Sequence, residues 1–200
     1  MSRPAFRPAR IAALAVAAAV LAALSAGIAR AQSVELDAAA KAGRLDELFG
    51  RLKAARDEEE GKAFVAKIWG LWLRSGQPDL DAPMDQAARL ISAGLPALAL
   101  PLLDGLVAQA PGWAEAWNKR ATALYLMGEH DRSLADIERA LALEPRHFGA
   151  LAGLGLIRAG RGEHRGALAA YRRALAVNPF LEERRELIPE LERKLGDKPI

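Results

Sequence analysis

The side chains suited to chemistry are three histidines, His130, His147 and His164, of which the outer two stand 34 residues apart. Imidazoles at neighbouring helix starts could share a metal ion, but a zinc-type site needs three or four ligands and no third is evident. Repetition of one helical unit accounts for the pair. The chain contains no HExxH, phosphate-cradling glycine loop or nucleophile elbow. Ser33, Ser75, Ser92 and Ser133 have no arguable base partner, and the absence of cysteine removes thiol nucleophiles, disulfides and thiolate metal sites. The acidic run Asp57 to Glu60 lacks the alternation with a turn glycine that a calcium loop needs; it suits the positive end of a helix instead. Trp69, Trp72, Trp113 and Trp117 could stack on sugars, but tryptophans at helical spacing belong to cores. The residues predict a non-enzymatic protein with no catalytic, cofactor or metal residues.

The elements that carry these residues keep a 34-residue beat. Pro111, Pro145 and Pro179 each follow an Ala/Leu-rich run, and small residues recur at Ala87, Ala121 and Gly155 and at Ala99, Ser133 and Ala167. Leu106, Ala140 and Ala174 form another series. Helical periodicity dominates, with no convincing alternating strand pattern, so the segment reads as stacked copies of one helical hairpin. Ala121 and Gly155 are expected to let the first helix of a pair approach its partner, Ala140 and Ala174 to let pairs stack, and Gly128 and Gly162 to turn the chain between helices. Ahead of the array, Leu45, Leu48, Phe49 and Leu52 form one apolar stripe, and a second helix carries Val65, Ile68 and Trp72 before Gly76 and Pro78 end it. Behind the array, Leu181, Leu187, Ile188, Leu191 and Leu195 predict a capping helix over Phe180 to Gly196, kinked at Pro189.

The middle unit, with Trp117, Ala121, Leu124, Ser133, Ile137, Ala140 and Pro145, and the third, with Leu151, Leu154, Gly155, Ala167, Tyr171, Ala174 and Pro179, resemble tetratricopeptide repeats. Both share Gly-Glu-His at the internal turn. The unit before them departs from the pattern at Pro83, Pro96 and Pro101 but keeps Ala87, Ala99, Leu103 and Pro111. The resemblance implies an all-α, right-handed α-solenoid of antiparallel hairpins with terminal capping helices. Its parts would be a helical pair over 32–79, acting as cap or degenerate repeat, three repeats over 80–113, 114–147 and 148–181, and a C-terminal helix and tail over 182–200. Arg120 and Arg158 stand where the family usually has leucine and an aromatic, so their stems lie along the surface or their heads meet acids elsewhere.

The resemblance also implies a partner-binding groove lined by the first helix of each pair. On the middle unit the spacing i, i+4, i+7 gives a stripe of Asn118, Thr122 and Tyr125; the equivalents are Met84, Ala88 and Ile91 before it and Ala152, Leu156 and Ala159 after it. A polar centre with apolar flanks suits a peptide or protein segment, with Asn118 free to hold peptide amides. The alternative is a structural subunit of an envelope complex that self-associates, as a homo-oligomer, through the same stripes. Only Asn118 and Lys119 resemble the family's carboxylate-clamping side chains, so a chaperone-tail clamp is not expected.

Residues 1–31 have the three regions of a secretory signal: Arg3, Arg7 and Arg10, an apolar run from Ile11 to Ile28, and Ala29-Arg30-Ala31 before a cut ahead of Gln32. An uncleaved helix anchored in the inner membrane is the alternative; after cleavage no stable membrane insertion is expected. The whole chain carries a formal charge of +3, but four of its 28 basic residues and none of its 25 acids precede Gln32. The exported part would hold 24 bases against 25 acids, which gives no phosphate-neutralising surface and excludes nucleic acid as an expected partner. An Ala/Arg/Gly-rich composition with an export signal points to the bacterial periplasm.

Overall fold

The computed structural model describes residues 38–182 and 185–196. The chain divides into two compact units, 1–44 and 45–200. Of the first, residues 38–44 are described and are helical; the expected signal over 1–31 lies outside the described residues. In the second unit, α1 covers residues 45–53 and is followed by α2 (Glu58–Trp72), α3 (Pro78–Ser92), α4 (Pro96–Gln109), α5 (Ala114–Leu126), α6 (His130–Leu143), α7 (Phe148–Gly160), α8 (His164–Val177) and α9 (Leu187–Leu195). No strand occurs among the described residues.

Local sequence explains where these helices start and stop. The Asp57 carboxylate accepts from the Glu60 backbone N–H at 2.8 Å, capping α2, and three glutamates fill its first turn. Pro78 and Pro96 open α3 and α4, where a missing N–H costs nothing. Pro83 and Pro101 lie inside those helices; the carbonyls they leave unbonded belong to Asp79 and Ala97, both exposed residues that water can satisfy. The three hairpin turns share one device. Gly94, Gly128 and Gly162 have φ of 74°, 80° and 74°, and the next N–H reaches back to Leu90, Leu124 and Arg158 carbonyls at 2.9 Å in each case.

The expected kink at Pro189 is corrected. The terminal helix begins only at Leu187, so Pro189 falls in its first turn, where no intrahelical donor is lost. Ile188 and Leu191 of α9 pack with Ala167, Leu168 and Tyr171 of α8, and the buried Glu192 accepts from Arg172 at 3.1 Å.

Small residues sit where helices approach most closely. A Cβ on Gly155 would come within 2.8 Å of the Tyr171 ring on α8, and Ser133 Oγ donates to the Ala121 carbonyl at 2.7 Å. Ala87, Ala99, Ala140, Ala167 and Ala174 have no exposed surface. Arg120 links three helices: its guanidinium donates to both Asp136 oxygens at 2.7 and 2.8 Å and to Asp104 at 2.9 Å. The Asp136 hydrogen bonds raise the Arg120 pKa above its ordinary value, against the opposing effect of burial. Arg158 lies along Gly166, donating to its carbonyl at 3.4 Å, with Glu163 3.9 Å from its Nε.

The helical pair α1–α2 packs against the third hairpin. Leu45, Leu48, Phe49, Leu52, Phe64, Ile68 and Trp72 form one buried cluster with Phe148 and Leu151 of α7, Ala174 of α8 and Leu181. Gly61 admits the Phe180 ring, and ion pairs Arg146–Asp46 at 2.5 Å and Arg185–Glu58 lie at the margin.

Candidate functional site

The first helices of the three hairpins are α3, α5 and α7, and the nine expected groove residues lie on them in matching registers. The structure covers the triplets to different extents. Met84 has no exposed surface and belongs to a cluster with Leu80, Leu103 and Trp113 against which Leu73 packs. Asn118 is 6% exposed, and Ala152 is half-buried. Ala88, Ile91, Thr122, Tyr125 and Ala159 are half-buried, while Leu156 is 39% exposed.

The expectation that Asn118 holds peptide amides is therefore corrected, and Met84 likewise lines no accessible surface. Asn118 Nδ2 donates to Glu115 Oε2 at 2.9 Å inside the protein. Glu115 is itself fully buried and meets His147 Nε2 at 2.8 Å through the same oxygen, with Lys119 Nζ 3.3 Å from the other. His147 Nδ1 accepts the Ala150 backbone N–H at 3.2 Å and so caps α7. That direction leaves the imidazole hydrogen on Nε2, aimed at Glu115. Thr122 Oγ1 is also occupied, donating to the Asn118 carbonyl at 2.9 Å.

The covering element is α2 with the segment after it. Trp72 stacks on the His147 ring with centroids 4.0 Å apart and planes within 9°, and its carbonyl accepts from Trp113 Nε1 at 2.7 Å. Trp69 lies edge-on to Phe148, His147 and Trp72, with Lys119 Nζ 5.2 Å above its ring. It seats on α7 at Gly149, where a Cβ would approach its Cη2 to 2.6 Å. Gly149, Ala152 and Leu156 follow i, i+3, i+7, so Trp69 occupies the N-terminal end of the same stripe. Beyond Trp72, Arg74 pairs with Asp85 at 2.9 Å and Ser75 bonds Asp81 through both N and Oγ at 2.7 Å. The N-terminal halves of α3, α5 and α7 are thus closed within the chain; further along, Tyr125 packs on the cluster of Ala121, Ile137 and Leu154, and Ala152 and Ala159 pack on that of Tyr171, Ile188 and Leu191, so the large apolar side chains left exposed on α5 and α7 are Leu126 and Leu156.

Sequence reasoning gave Glu115 and His147 no role. Two signals were available: Glu115 lies one helical turn before Asn118, and His147 stands directly before an apolar helix, a capping position. His130 and His164 open α6 and α8, with the His130 ring 5.1 Å from that of Tyr125. Among the described residues no group of three potential metal ligands is gathered, and no helix is long and apolar enough to cross a membrane.

An all-α helical-repeat solenoid is the architecture of repeat scaffolds. A family model for the tetratricopeptide repeat matches residues 114–147. A TPR repeat-containing protein of Rhizobium etli is 37% identical over 153 residues, covering 76% of this chain and 75% of that protein. The chain belongs to the tetratricopeptide repeat family, whose members are protein-interaction scaffolds and generally not enzymes. Among solved structures, the Sgt2 TPR domain from Aspergillus fumigatus superposes with a TM-score of 0.56 at 22% identity, covering 60% of this chain and 81% of that one. A crystal structure of MamA gives 0.55 at 22% identity, covering 68% and 84%. At this identity both speak to the fold.

Proposed function

We propose that the protein is an exported, non-enzymatic scaffold of the bacterial periplasm that holds a peptide or protein segment on the surface of α5 and α7 around the exposed Leu126 and Leu156. The observation that carries this reading is Leu156, a large apolar side chain 39% exposed on the first helix of the third repeat, beside a stripe whose other end already holds an indole of the same chain. An apolar site walled at one end by Trp69 suits a short amphipathic segment better than a long chain threading the array.

The test begins with parallel capture from a periplasmic extract on wild type and on Leu156→Asp. The segment retained by wild type alone is then titrated against wild type, Leu156→Asp and Tyr125→Ala. The reading expects affinity to fall at least roughly tenfold in each variant, about the effect of removing one buried apolar anchor. Identical retention by wild type and Leu156→Asp, with unchanged affinities, overturns it. Export is checked separately by the N-terminal residue and mass of the mature protein, expected to begin at Gln32.

A further inference from the structure

One sulfur among the described residues is open to solvent. Met127 follows the last residue of α5 as its C-cap and is 37% exposed, beside Leu126 at 53%. Met84, the other described methionine, has no exposed surface and packs with Leu80, Leu103 and Trp113. With no cysteine in the chain, no thiol competes for an oxidant. The positions 34 residues before and after Met127 are Ala93 and Arg161, neither of which offers a sulfur. An exposed thioether at this turn is therefore peculiar to the second repeat, next to an apolar side chain of the proposed partner surface.

We infer that Met127 is an oxidation site through which a peroxide switches off the surface around Leu126, a role that rests on that surface being the partner site. A lone pair of the thioether sulfur attacks one oxygen of hydrogen peroxide. The S–O bond forms as the O–O bond breaks, and the departing hydroxide takes the proton from the new S–OH and leaves as water. Sulfur gives up two electrons and the peroxide accepts them; a methionine sulfoxide reductase reverses the change. The product is polar where the thioether was apolar. A partner segment that buries Leu126 must then also desolvate a sulfoxide oxygen, which is costly unless a donor meets it. Because Met127 lies at an exposed turn, its oxidation leaves the packing between helices intact, whereas oxidation of Met84 would have to open the first repeat.

The protein, folded and then unfolded in urea, is exposed to hydrogen peroxide and digested with trypsin, which releases Met84 within residues 75–89 and Met127 within residues 121–132. In the folded protein Met127 is expected to gain its oxygen at least roughly tenfold faster than Met84, and in urea the two should react alike. Retention of the folded protein on a phenyl matrix should fall after peroxide in wild type and hold in Met127→Leu. Affinity for the segment retained by wild type should drop at least roughly fivefold on oxidation, while peroxide leaves the affinity of Met127→Leu where it was. Equal rates for the two methionines in the folded protein, or oxidised wild type that keeps its phenyl retention, overturns the inference without reference to any partner. Affinity that falls in Leu156→Asp but ignores oxidation sinks this inference alone, whereas affinity that ignores Leu156→Asp sinks the partner reading and this role with it.

Discussion

Gly149→Ala tests how firmly the chain closes its own groove. The new methyl carbon would stand 2.6 Å from Trp69 Cη2 and 3.0 Å from Cζ2, against an ordinary contact of 3.4 Å or more, so the indole must retreat by about 0.8 Å. It cannot do so freely. Its ring is edge-on to Trp72, Phe148 and His147 at centroid distances of 5.3, 5.4 and 5.6 Å. Loosening one or two such pairs costs about 0.5–1.5 kcal/mol each, within the ~1–3 kcal/mol range of overpacked cores. Alanine in a helix returns about 0.5–1 kcal/mol relative to glycine. The net expectation is a loss of about 1–2 kcal/mol, or roughly 3–6 °C in Tm. Gly70→Ala is the control: it lies inside α2 with nothing within 4 Å of the added carbon and should stabilise by about 0.5–1 kcal/mol. Urea denaturation followed by tryptophan fluorescence measures both. If Gly149→Ala matches or exceeds Gly70→Ala in stability, Trp69 is not held on α7 as described.

Arg120→Ala leaves Asp136, only 5% exposed, without its bidentate partner and should cost about 2 kcal/mol in the same assay, less than a fully buried pair because Arg120 retains some water contact. Arg120→Leu combined with Asp136→Leu should recover most of that loss; a double variant no better than Arg120→Ala contradicts the account of the pair. Ala140→Leu and Ala174→Leu, at positions with no exposed surface, should each lower stability by about 1–3 kcal/mol, and unchanged midpoints for both would remove their assigned role in stacking.

The repeat was legible because its determinants are local. Proline after each second helix, glycine at each hairpin turn and small residues at close approaches act within one 34-residue unit, and each copy restates them. What escaped reading lies between units. Asn118 reads as a surface amide from its helical register, yet its partners are Glu115 and, through Glu115, His147 at the head of the next repeat. The acids that hold Arg120 come from α4 and α6, each 16 residues away, outside any single helix pattern. The seat of α1–α2 left the least trace. Its contacts with α7 and Phe180 depend on glycines, Gly149 and Gly61, whose sequence signature is merely the absence of a side chain.

That seat changes how the molecule should fold and unfold. In a simple solenoid each repeat touches only its neighbours, so nucleation can occur anywhere and terminal repeats fray one at a time. Here Asp46 meets Arg146 across 100 residues and Glu58 meets Arg185 across 127, closing nearly the whole described unit into a loop. The entropy of that closure must be met before its contacts form, which raises the contact order and slows the final step of folding. Once closed, the third hairpin cannot fray without exposing Ile68 and Trp72 of α2, so these distant segments share one unfolding transition rather than opening independently.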